Sequence, residues 1–153
     1  MKNIDFNVLE KRIGYKFSDR NWLICAMTHT SFAHEQSDHG KIVRSNERLE
    51  FLGDSVLSLV VTNYLFDNYS QIEEGDMTDI RKYSVDTEAL SSYARSIDLG
   101  SFLLLGKGEE LTNGRQKNKL LENAFEALIA AIYKDSDIKN VEKFLIPFFV
   151  CPA

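Results

Sequence analysis

Proline is nearly missing from this 153-residue chain. Its two prolines, Pro147 and Pro152, both fall within the last seven positions. The long stretch before them therefore lacks the commonest helix breaker, which favours a helical chain. Cysteine is as scarce: Cys25 and Cys151 lie far apart and form no CxxC pair. A disulfide framework and a zinc site are not expected, and reduced thiols in a cytoplasm are. The N-terminus carries no apolar run of signal-peptide length. The most apolar stretches, 56–66 and 124–133, are too short to cross a bilayer, so no membrane partner is expected. Positive charge is also in deficit: 18 basic against 23 acidic side chains give a formal net charge of −5. Taken alone, that balance argues against a simple electrostatic binder of nucleic acid.

What is present is an ordinary globular composition, 44% apolar and 27% charged. A chain of this length fits one domain, 1–153, that buries roughly two-thirds of its unfolded surface. Helical periodicity dominates, and the fold class expected is all-α. A first helix spans 8–13 and ends at Gly14. Ser18 is placed to cap a second, which carries Trp22, Leu23, Ala26 and Met27. The polar stretch 32–44 reads as a loop. A long helix is expected over 46–68, apolar around most of its second half and hence central. Shorter helices follow at 77–83 and after Asp86, the latter closing at Gly100. The run 102–105 could be a strand, but nothing pairs with it by pattern. A polar loop then reaches Lys119, a helix covers 120–134, and a last one runs until Pro147 stops it.

Two of these helices carry acidic residues at suggestive spacing. Glu47, Glu50 and Asp54 stand at i, i+3 and i+7, which puts all three on one face. Gly53 lies among them, at a cost of about 1 kcal/mol relative to alanine in a helix interior. On the later helix Asn123 and Glu126 stand at i, i+3, and Glu122 and Glu126 at i, i+4. Oxygen donors from two helices suit a hard cation such as Mg²⁺ or Mn²⁺. Spacing alone is met equally by solvated acidic stripes and a packing glycine.

The exact residues go further. Asn46-Glu47-Arg48-Leu49-Glu50-Phe51-Leu52-Gly53-Asp54-Ser55-Val56-Leu57 closely resembles the signature of the ribonuclease III family. Matches continue in the family's order: Thr28-His29-Thr30-Ser31 before it, then Glu74-Gly75-Asp76-Met77 with Arg81. Leu105-Gly106-Lys107-Gly108-Glu109-Glu110, Gly114-Arg115 and Phe125-Glu126-Ala127-Leu128-Ile129 follow. The resemblance implies an all-helical endonuclease domain that works as a homodimer on double-stranded RNA, with Mg²⁺ as cofactor and Mn²⁺ as substitute. By motif position Glu50, Asp54 and Glu126 would form the catalytic metal site, with Glu47 beside it. Glu74 would belong to the catalytic valley, and Phe51 would plug into the partner subunit. Arg115 and Lys117 are candidate RNA-phosphate contacts. The implied reaction leaves 5′-phosphate and 3′-hydroxyl ends, in processing of ribosomal or messenger RNA.

The chain departs from the family pattern at Asn123, where an aspartate is usual and would complete the metal ligands. An amide oxygen ligates but brings no charge. Weakened cleavage, adequate ligation through the amide, and substitution by Glu122 are all open on the sequence. A weakened or structural RNA-binding member is the rival reading. The double-stranded-RNA-binding domain usual after this domain is not contained in 1–153. His29, His34 and His39, spaced by five, do not share a helix face and are set aside as a zinc site.

Overall fold

The computed structural model describes residues 3–149. Its helices are α1 (Phe6–Ile13), α2 (Arg20–Met27), α3 (Thr30–Asp38), α4 (Glu47–Asn68) and α5 (Glu74–Val85). They continue as α6 (Thr87–Ser96), α7 (Lys107–Leu111), α8 (Asn118–Asp135) and α9 (Ile138–Phe149). Among the described residues there is no strand, only one parallel bridge between Thr28 and Leu104. The run 102–105 thus does find a partner, but for a single residue.

α8 is the axis of the fold. From Ala124 to Ile132 every residue is buried, and α2, α4, α6 and α9 all pack against it. Such a helix is apolar all round because it meets protein on every side. α4 lies along it and buries Leu49, Gly53, Val56, Leu57, Val60, Val61 and Leu65. By length and composition alone the 22-residue α4 could cross a membrane, which the apolar run 56–66 understates. Its inner face is instead committed to α8.

Capping explains where several helices begin and end. Gly14 closes α1 in the left-handed region at φ 70°, as expected from its lack of Cβ. Asp19, not Ser18, caps α2, its carboxylate accepting from the Asn21 amide. Asp86 caps α6 by accepting from the Ala89 amide, and that helix ends at Ser96, before Gly100. The expected loop 32–44 is largely α3, capped by the His29 imidazole accepting from the Ser31 amide. Its only buried residue is Ala33, so the sequence there carries no apolar stripe to read. Likewise α7 is five residues long with none buried, inside the expected polar loop. Pro147 does not stop α9, which runs two residues past it. The proline lies on the exposed side, where water can reach the carbonyl left unpaired. Cys151 and Pro152 lie outside the described residues.

Candidate active site

The start of α4 is fixed from below. Asn46 is buried, and its side chain donates to the Ala26 carbonyl at 3.0 Å while its amide donates to the Thr28 carbonyl at 2.8 Å. These bonds seat the first turns of α4, with Glu47, Glu50 and Asp54, beside the end of α2. The contact with α8 is then set by Gly53. A Cβ there would stand 1.8 Å from the backbone oxygen of Glu126. The two helices therefore touch backbone to backbone, and only glycine permits it.

That approach brings carboxylates together across the helix pair. Glu126 is 4% exposed and faces Asp54 closely enough for their carboxyl groups to share a hydrogen bond. Burial, then the Asp54 hydrogen bond and the charges of Asp54, Glu122 and Glu50, push the Glu126 carboxyl up from 4.5 to about 8. Glu50 is half-buried and also held above its ordinary value, by burial first, with Lys119 opposing and Glu122, Asp54 and Glu47 reinforcing. A site that raises the cost of its own negative charge is short of a cation.

Two further oxygens point the same way. Glu122 Oε2 and Asn123 Oδ1 are fully buried and accept no hydrogen bond. An orphaned buried acceptor costs about 1–3 kcal/mol; Asn123 Oδ1 bears that cost, while Glu122 Oε2 has a neighbouring ammonium in Lys119, 3.5 Å away. The donor set is oxygen throughout, as a hard cation requires. It is a set of neighbours and not a finished cage: among the described residues no three His, Cys, Asp or Glu side chains converge closely enough to hold a metal ion.

The other residues singled out from the sequence are spread around this centre. Glu47 is exposed, and its carboxylate accepts from the Ser45 hydroxyl at 3.1 Å. Glu74 lies elsewhere, on the first turn of α5, lining a cleft with Thr62, Phe66 and Arg81. Thr62 is eight residues beyond Asp54, roughly 12 Å along α4. Phe51 is 82% exposed on α4. The Arg115 guanidinium is bound bidentately to Glu110 and donates to the carbonyls of Gly100 and Leu103 at 2.9 and 2.7 Å, which ties it into the turn before α8. Lys117 stays half-exposed while bonded to Glu109 and Thr112, both at 3.0 Å.

Two features were not found from the sequence. Lys119 belongs to α8 and not to the preceding loop, and its ammonium lies 3.5 Å from Glu122 Oε2. The i, i+3 spacing of the pair was the available signal. The second is a brace from α3 to α7. The Gly106 and Lys107 amides donate to Ser31 Oγ and to the Glu35 carboxylate, and Ser31 Oγ lies 2.8 Å from His29 Nδ1. His29 thereby helps to order the local fold through Nδ1.

Comparison with known proteins agrees with this geometry. The family model described as Ribonuclease-III-like matches residues 19–151. Ribonuclease 3 of Caldanaerobacter subterraneus subsp. tengcongensis is 47% identical over 141 residues, covering 92% of this chain and 60% of that protein. Ribonuclease 3 of Clostridium perfringens is 44% identical over 149 residues, covering 97% and 61%. The chain thus spans about 60% of the length of the curated relatives it matches. The crystal structure of the nuclease domain of ribonuclease III from Campylobacter jejuni superimposes with a TM-score of 0.84 at 38% identity, covering 97% of this chain and 94% of that one. A second structure of that domain, described for structural flexibility in a region involved in dimer formation, gives 0.85 at 37% identity, covering 94% and 95%. On the family match and the shared fold, the chain belongs to the ribonuclease-III-like family.

Proposed function

We propose that this domain is the nuclease unit of an endoribonuclease that hydrolyses phosphodiester bonds of double-stranded RNA in the cytoplasm, using Mg²⁺ or Mn²⁺. The observation that carries the reading is the Gly53–Glu126 backbone contact, which sets Glu50 and Asp54 of α4 against Glu126 of α8. Glu50, Asp54, Glu126 and the amide oxygen of Asn123 would hold the cation, with Glu47 at the margin. A bound divalent ion supplies an acidified water as nucleophile and a counter-charge for the leaving 3′-oxygen. In the chain itself, burial of Glu126 beside Asp54 favours its protonated form until a cation arrives. Lys117, half-exposed near the start of α8, would supply a phosphate contact by exchanging its bonds to Glu109 and Thr112. Duplex RNA hides its base edges, so recognition would rest on shape, phosphates and 2′-hydroxyls.

The working state in this reading is a homodimer. Phe51, Ser55, Leu59, Thr62 and Phe66 recur at i+4, i+4, i+3 and i+4 along the outer face of α4. Phe51, Leu59 and Phe66 are 82%, 59% and 71% exposed. Three exposed apolar side chains on one helix face, with small polar residues between them, suit a self-complementary two-fold contact. The likeness to a domain studied for dimer formation supports it.

The test is incubation of the purified protein with labelled RNA, duplex and single-stranded, in Mg²⁺, Mn²⁺ or Ca²⁺. Cleavage of the duplex in the first two, with 5′-phosphate ends, is expected. Duplex binding without cleavage in any metal would replace this reading with that of a binding module.

A further inference from the structure

The departure at Asn123 is the place where this chain has built something of its own. Lys119, Glu122, Asn123 and Glu126 stand at i, i+3, i+4 and i+7 on α8, which is one helical face. Around the axis Glu122 and Asn123 fall about 40° and 60° to either side of Glu126. They flank it, and Glu122 does not point away. Its carboxylate is 13% exposed, and its Oε2 is buried without a hydrogen bond, as is Asn123 Oδ1. The charge of Glu122 acts on both Glu126 and Glu50, so it is felt inside the α4–α8 cluster. Lys119 is the counterpart: its side chain is 67% exposed, and its ammonium stands 3.5 Å from Glu122 Oε2, beyond a normal hydrogen bond. The lysine side chain is mostly in solvent, whereas the carboxylate is mostly buried.

We propose that Glu122 and Asn123 together replace the single aspartate: Glu122 supplies the negative charge, Asn123 the neutral oxygen, and Lys119 is a resident counter-ion that a divalent cation displaces. This rests on reading the α4–α8 cluster as a cation site. Under the alternative, an amide that merely weakens the site, the Glu122 carboxylate would be buried beside Asn123 only to pair with Lys119. In the proposed arrangement the site keeps the charge of a family member with aspartate, in a different place. The lysine also makes empty and loaded states differ in where one positive side chain sits.

The test is Mn²⁺ binding, measured by calorimetry on the protein without RNA. Five proteins are compared: wild type, Glu122→Gln, Asn123→Asp, the double variant, and Lys119→Met. Glu122→Gln should weaken binding roughly tenfold or more. In the double variant the new aspartate should restore affinity to about the wild-type value. Lys119→Met should tighten binding, because a competing cation is gone. A Glu122→Gln protein that binds within about twofold of a binding-competent wild type overturns this inference alone. So does a double variant that binds as weakly as Glu122→Gln alone, which would mark a fold effect and not a ligand. No binding by any of the five, Asn123→Asp included, overturns the cation-site reading on which the inference stands.

Discussion

Gly53 has no room for a methyl group. On helix propensity alone, Gly53→Ala should gain about 1 kcal/mol. Against that, the new Cβ would meet the Glu126 carbonyl oxygen at 1.8 Å, and backbone cannot yield as a side chain can. Overpacking of this kind costs about 1–3 kcal/mol or more, so a net loss of stability is expected in urea unfolding, together with separation of the two acidic faces. A gain would mean that α4 and α8 do not touch there. Glu126 makes a second prediction at this scale. Its carboxyl is held near 8 in the fold and titrates near 4.5 when unfolded. Between those values the native state binds more protons than the unfolded one, so stability falls as pH rises through the window. Melting of the metal-free protein from pH 4.5 to 8 should show that slope, and Glu126→Gln should flatten it. An unchanged slope in the variant would assign it to another group.

α4 has two faces with opposite tasks. The inner one packs on α8, while the outer one leaves Phe51, Leu59 and Phe66 in solvent. Phe51→Asp with Phe66→Asp should therefore yield monomer in sedimentation while helix content is kept. A dimer that survives both changes would place the interface elsewhere. The long helices α4 and α8 were readable from periodicity because each buries a wide apolar surface. α3 and α7 were not, because between them only Ala33 is buried. They are held by side-chain bonds from Ser31 and Glu35 to Gly106 and Lys107, partners some seventy residues away in sequence. Pro147 misled for a local reason: a proline near an exposed helix end leaves unpaired only a carbonyl that water can serve.

Across the whole molecule, the acidic balance changes meaning. Glu47, Glu50, Asp54, Glu74 and Glu126 account for five acidic residues, and setting them aside leaves the rest of the chain formally neutral. Divalent cations would offset most of the local negative charge, so a net charge of −5 does not by itself oppose contact with phosphates. The grouping of Glu50 and Asp54 with Glu126 was legible in sequence, since the first two stand in the 46–57 stretch and the third in the 125–129 match. The division of labour around it was not. Arg115 reads as a free cation until its carbonyl partners are seen, and Glu122 reads as surface until its burial is. Glu74 lies along α4 from the other acids, a separation that no linear spacing reveals. The most direct test of the central claim is single-turnover cleavage of a labelled RNA duplex by wild type and Glu126→Gln across a Mg²⁺ titration, with duplex binding followed in parallel. The account predicts metal-dependent cleavage that falls at least about a hundredfold in the variant while binding persists. Cleavage by the variant at the wild-type rate and metal midpoint would contradict it.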